Sequence, residues 1–178
     1  MKLEQPLKIL NLTPSQDLLN FDYSTIDWTL FTSRQNTFKV HRDTLTFPFV
    51  NSEFFISSDI IYRNTNHPIY PIILEELLKL EEYFGATVRI AGLAGIKPNG
   101  TIYKHVDKSE LFQYAHRVHL PLVTNPGVIF TIDNTDFHLE KGTWYEIDNT
   151  RPHQVINNCQ DIRIHLLVDL LPNVIKEE

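Results

Sequence analysis

The sequence predicts a mainly β domain of the jelly-roll type with at least one supporting helix. Short, apolar-rich segments run from Thr87 to Leu170, with turn residues dividing them at intervals of roughly 10 residues, and a strong helical period lies just upstream.

The N-terminal region carries the weakest pattern. Thr13-Pro14-Ser15 has the composition of a helix start, and Phe38–Val40 and Leu45–Phe49 read as strands flanking a loop. Over Tyr70–Phe84 the apolar residues Ile73, Leu74, Leu77, Leu78 and Phe84 recur at three- and four-residue intervals, which predicts a helix packed on a sheet. Pro71 suits the first turn, Glu75 and Glu76 lie early, and Gly85 is placed to end it.

The strands expected downstream are Thr87–Leu93, Thr101–His105, Arg117–Val123, Val128–Ile132, Thr143–Ile147, Gln154–Ile156 and Ile162–Leu170. Turns separate them at Pro98-Asn99-Gly100, Asn125-Pro126-Gly127, Asp133-Asn134-Thr135, Lys141-Gly142 and Asn157-Asn158. With neither repeats nor a Gly/Ser linker in the chain, residues 1–178 are expected to form one domain. Residues 1–85 then supply supporting elements, including the helix 70–84, and residues 87–170 the catalytic jelly-roll core.

Composition narrows the function classes. A net charge of −6 argues against a nucleic-acid backbone as the main partner. No apolar run approaches the roughly 18 residues of a membrane span, and the N-terminus lacks a secretory pattern. The single cysteine, Cys159, excludes an internal disulfide and fits a reducing compartment, so a cytoplasmic setting is expected. Oligomeric state is not encoded in any of these features.

His105-Val106-Asp107 carries the most chemistry. In an extended segment residues i and i+2 project to one face, so an imidazole and a carboxylate converge on one ion. His153, just after the turn Asn149-Thr150-Arg151-Pro152, is the leading candidate for a second imidazole. Two histidines and a carboxylate bind one face of an Fe(II) ion and leave the other positions open, although manganese and zinc accept similar ligands.

Arg163 follows on the apolar strand Ile162–Val168, where alternation places it with His165 on one face. A buried guanidinium needs an anion. Either an internal Asp or Glu pairs with it, or it anchors the distal carboxylate of 2-oxoglutarate, which its fork shape matches. Arg117 and His119 share a face of another strand, where they would hold the other carboxylate of the cosubstrate or a substrate carboxylate, or else Arg117 pairs at the surface. Tyr103, Tyr114, His116 and Trp144 are candidate substrate-lining residues and equally plausible core aromatics, with Trp144 favoured for the core.

Taken in order, these residues resemble the aspartyl/asparaginyl β-hydroxylase-like branch of the 2-oxoglutarate oxygenases, and also the free-proline hydroxylases. The resemblance covers residues 93–172: His105-x-Asp107, Arg117-x-His119-Leu120, Gly142 before Trp144, Asp148-Asn149 ahead of His153, then Arg163 and Val168-Asp169. It implies a double-stranded β-helix of cupin-like form with Fe(II) on His105, Asp107 and His153. It also implies 2-oxoglutarate and O2 as cosubstrates, and hydroxylation of an Asp-, Asn- or Pro-type side chain in a small amino acid or peptide. Two departures stand out. Founding members have Gly where this chain has Asp107, and a serine that helps hold their cosubstrate aligns with Ala94. Two other classes stay open: a cupin-type metalloenzyme with non-oxidative chemistry, and a silent ligand-binding jelly roll.

Overall fold

A computed structural model describes residues 3–52, 60–108 and 110–173. In chain order its elements are β1 (Leu7–Ile9), α1 (Gln16–Leu19), α2 (Ser33–Thr37), β2 (Thr44–Ser52), β3 (Ile60–Tyr62), α3 (Tyr70–Phe84), β4 (Ala86–Ile96), β5 (Thr101–His105), β6 (His116–Val123), β7 (Val128–Ile132), β8 (Thr135–Phe137), β9 (Tyr145–Ile147), β10 (His153–Asn157) and β11 (Arg163–Pro172). The strands form two antiparallel sheets, β1-β9-β6-β11-β4-β2-β3 and β5-β10-β7-β8. The architecture is a mainly β jelly roll.

Helix α3 matches its expected bounds because its local signals agree. Pro71 opens the first turn, and Gly85 closes it in the left-handed region at φ 58°. Ile73, Leu77 and Leu80 bury one stripe, each side chain contributing roughly 1.5–3 kcal/mol, whereas Leu74 and Leu78 lie partly outside it. Glu76 is buried on the same helix and accepts from the Ser15 backbone at 2.9 Å and from Lys79 at 2.7 Å. That bond ties the start of α1 to α3.

Alternation along the central strands sorts chemistry onto two faces. Val118, Leu120 and Leu122 of β6 and Ile164, Leu166, Val168 and Leu170 of β11 join the cluster shared with α3. Arg117, His119, Arg163, His165 and Asp169 therefore point the other way, toward the smaller sheet. The second cluster, Ile96, Val128, Phe130, Ile132, Leu139, Tyr145, Ile147 and Val155, fills the space beside them.

Four expectations need correction. Asn157 ends strand β10, paired with Val128, and is not a turn residue. Phe38–Val40 is not a strand: it leads into a 3-10 turn at Lys39–His41, stabilised by Thr44 Oγ1 donating to the His41 carbonyl at 2.7 Å. Three residues with no facing strand have nothing to pair with. Thr143 and Trp144 precede β9 because Thr143 N–H closes a turn onto the Glu140 carbonyl. Thr135 is strand and not turn: Asp133 and Asn134, both at positive φ, make the tip of the β7–β8 hairpin. The short strands β1 and β3 carry too few residues to show a period.

Among the described residues no helix is long and apolar enough to cross a membrane.

Candidate metal centre

His105 ends β5 and His153 begins β10, and the two are direct cross-strand partners in the smaller sheet. Their ring centroids lie 4.3 Å apart. Asp107 stands two residues beyond His105, where its backbone N–H donates to the Asn149 carbonyl at 3.2 Å. One ligand atom from each of His105, Asp107 and His153 falls within 4.8 Å of the others.

The surroundings prepare each of these side chains to ligate an ion. His105 Nδ1 donates to the Tyr103 carbonyl at 2.7 Å and His153 Nδ1 to the Arg151 carbonyl at 2.8 Å. A carbonyl only accepts, so each Nδ1 carries a proton and each Nε2 is the nitrogen left to ligate an ion once unprotonated; the neighbouring Asp107 raises the His105 pKa. Asp107 Oδ2 accepts from Asn149 Nδ2 at 2.9 Å and from Arg117, which leaves Oδ1 facing His105 Nε2 at 3.5 Å. Burial alone would raise the Asp107 carboxyl. The His105 ring, Arg117 and Asn149 outweigh burial and hold it well below the usual carboxylate range. Two imidazoles and one ionised carboxylate, each steadied by a second partner, fit a divalent ion with open positions.

Arg117 is fully engaged. Nε and Nη2 grip Asp169 at 2.7 and 2.8 Å, and Nη1 bonds Asp107. Both Arg117 and Asp169 are buried. Its guanidinium therefore positions a metal-ligand candidate, and its fork faces two carboxylates before any cosubstrate arrives.

Arg163 is the opposite case. It is 1% exposed, its Nη1 donates to the Ala94 carbonyl at 3.3 Å, and its Nε has no partner. Among the described residues no carboxylate reaches it, and burial alone pulls its pKa down to about 9. Ala94, lacking a hydroxyl, offers only its backbone oxygen, and Thr46, its cross-strand partner on β2, lines the same cavity.

His105, His153, Arg117, His119 and Arg163 all line that cavity. His119 Nδ1 faces His165 Nδ1 at 3.4 Å, and burial, then Arg163, keeps both rings neutral.

None of the four aromatic candidates lines the cavity. Trp144 is 1% exposed in the α3-side core, and His116 lies on the α3 face of β6, against Phe84 and bonded to Glu146 at 2.6 Å. Tyr114 is exposed, and Tyr103 is partly exposed with Arg42 over its ring. Alternation explains His116: if Arg117 faces the cavity, its neighbour faces away.

Residues that the pattern of the sequence did not single out also shape the site. Asn149 and Asp169 lay inside recognisable motifs, but nothing marked them as partners of Asp107 and Arg117. Arg34 and His41, from α2 and the following turn, also line the cavity. No local signal pointed to them.

The profile of the Aspartyl/Asparaginyl beta-hydroxylase family matches residues 55–172. The L-proline cis-4-hydroxylase of Rhizobium meliloti (strain 1021) is 32% identical over 97 residues, which is 54% of this chain and 34% of that protein. The chain thus spans about a third of the length of this curated relative. Among solved structures, a 2OG-Fe(II) oxygenase family oxidoreductase from Burkholderia pseudomallei superposes with a TM-score of 0.57 at 16% identity, covering 74% of this chain and 69% of that one. A Pseudomonas putida prolyl-4-hydroxylase superposes at 0.50 and 12% identity, covering 73% and 72%. These two likenesses establish the jelly-roll fold.

Proposed function

This chain belongs to the Aspartyl/Asparaginyl beta-hydroxylase family, and on that premise we propose that it is an Fe(II)- and 2-oxoglutarate-dependent oxygenase. It hydroxylates an unactivated C–H bond of an Asp-, Asn- or Pro-type side chain, with 2-oxoglutarate and O2 converted to succinate and CO2. His105, Asp107 and His153 hold the metal. When bound, iron and the 2-oxoacid supply the oxygen activation that such a bond requires.

The observation that carries this reading is Arg163. A guanidinium buried without an anion is costly, and here it shares a cavity with a three-residue ligand set. A dicarboxylate that reaches from metal to arginine removes that cost. A cupin-type centre with non-oxidative chemistry has no such use for Arg163. His119, neutral and buried at the cavity wall, steadies the end of the cosubstrate nearer the metal. Arg117 acts there through Asp107, and its remaining contact with the cosubstrate depends on the face that its two carboxylates leave open.

The substrate is an amino acid or peptide. The proline hydroxylase relative supports a Pro-type side chain. The one cysteine fits a cytoplasmic setting, and residues 1–178 act as one oxygenase domain.

Anaerobic addition of Fe(II) and then 2-oxoglutarate tests the proposal. The expected result is a weak visible charge-transfer band that Arg163→Ala shifts to much higher 2-oxoglutarate concentration. Wild-type protein with no band would overturn the oxygenase assignment, and an unshifted titration in the variant would overturn the role of Arg163.

A further inference from the structure

On the oxygenase reading above, we propose that Arg34, braced by His41, binds a free carboxylate of the substrate. The argument begins with what Arg34 lacks. Its Nη2 lies 3.2 Å from His41 Nε2, and no carboxylate among the described residues comes within ion-pair distance. His41 is buried. A guanidinium only donates, so the His41 Nε2 that faces it accepts with its lone pair, and the ring brings Arg34 no counter-charge.

The location is equally specific. The His41 ring sits edge-on to the His105 ring at 5.4 Å, and both Arg34 and His41 line the metal-site cavity. Although Arg34 as a residue is exposed, its guanidinium turns to His41 at the cavity, where burial and the like charge of Arg117 lower its pKa against the opposing pull of Asp107 and Asp169. An arginine serving only solubility would turn outward. This one is held inward by a neutral imidazole beside another cation, an arrangement that an incoming anion stabilises.

Charge balance points the same way. Three guanidiniums (Arg34, Arg117 and Arg163) face the cavity, against the carboxylates Asp107 and Asp169 that pair with Arg117. Arg117 is balanced by Asp169, a divalent metal by Asp107 and the metal-side carboxylate of the 2-oxoacid, and Arg163 by the distal carboxylate. One positive charge remains, on Arg34. A monoanionic carboxylate on the substrate matches it, from either the α-carboxylate of a free amino acid or the side chain of an aspartate within a peptide. Arg34 and His41 precede residues 55–172, the stretch that the family profile matches. Recognition of this carboxylate is thus supplied from outside the shared region.

The test is run anaerobically on protein loaded with Fe(II) and 2-oxoglutarate, with the charge-transfer band and the melting temperature as readouts. Ligands are the standard free L-amino acids, their C-terminal amides, and N-acetyl-aspartate N-methylamide as the peptide-like arm. The expected result is that at least one carboxylate-bearing ligand perturbs the band and raises the melting temperature, and that the neutral amides do not. The responding arm then identifies the source of the carboxylate. Arg34→Gln should weaken that ligand by roughly 10- to 100-fold with the 2-oxoglutarate titration unchanged, and Arg34→Lys should retain part of the affinity. A neutral amide that binds as well as its acid, no response from any carboxylate, or unaltered affinity in Arg34→Gln would overturn the assignment. Because the band forms before substrate is added, its absence reports failure of the oxygenase reading instead.

Discussion

Arg117 and Asp169 are joined by two parallel hydrogen bonds, Nε to Oδ1 at 2.7 Å and Nη2 to Oδ2 at 2.8 Å. The pair crosses from β6 to β11, where Arg117 and Asp169 are register partners. It fixes the guanidinium so that the remaining Nη1 meets Asp107. Asp169 thereby reaches the candidate metal centre through one intermediary.

Asp169→Asn removes half of the charge match and frees Arg117 to leave Asp107. Metal affinity, measured by anaerobic titration, should fall roughly 10- to 100-fold, as for loss of other groups that orient metal ligands. Unfolding should also become easier by roughly 3–5 kcal/mol, since a buried guanidinium loses its main partner. Unchanged metal affinity would sink the positioning role of Asp169.

Arg163→Met separates stability from binding. Because Arg163 is buried without an anion, the cosubstrate-free variant should be as stable as wild type or more so, by roughly 1–4 kcal/mol in denaturant melts. Wild type should gain about 2.7 kcal/mol from 2-oxoglutarate at a hundredfold excess over its dissociation constant, and the variant little. A marked loss of stability without ligand would mean that the guanidinium already has a partner.

Tyr23 sets an alkaline limit. Its hydroxyl donates to the Leu18 carbonyl at 2.6 Å, and burial raises its pKa above the ordinary 10.0. The unfolded phenol ionises first, so this contribution is complete below pH 10 and is lost progressively as pH climbs beyond it. Tyr23→Phe should lose roughly 0.5–1.5 kcal/mol at neutral pH and show a shallower decline in stability above pH 10. Parallel declines for the two proteins would refute the assignment.

Gly92 lies opposite Pro48 where β4 pairs with β2. A Cβ there would stand 2.9 Å from the Phe47 carbonyl oxygen and 3.2 Å from Pro48 Cα, both backbone atoms with little freedom to retreat. Gly92→Ala should cost roughly 1–3 kcal/mol in chemical denaturation. A melt indistinguishable from wild type would show that the strands separate more readily than their spacing indicates.

Much of this protein is legible in its residues. Helix 70–84 carries its period, its Pro and its Gly in one stretch, and β5 and β7 match their expected bounds because each lies between strong turns. The site is legible wherever its geometry is local. His105 and Asp107 share a face by strand spacing, and Arg117 with His119 and Arg163 with His165 share faces by the same rule. The α2 segment is not legible, because five residues bear no usable period. His116 and Trp144 were ambiguous because an aromatic suits a pocket and a core equally well.

Periodicity along the chain therefore determined which side chains face inward together, and the order of the motifs determined the family. Only the tertiary structure decided what those side chains meet. Arg117 finds Asp169, 52 positions away, while Arg163 on the same strand as Asp169 finds no acid among the described residues. Arg34 reaches the cavity from a short helix with no motif of its own. The physical reason is that strand spacing fixes a side chain's direction, whereas charge pairing depends on distance through space, set by how the two sheets and the N-terminal segment pack.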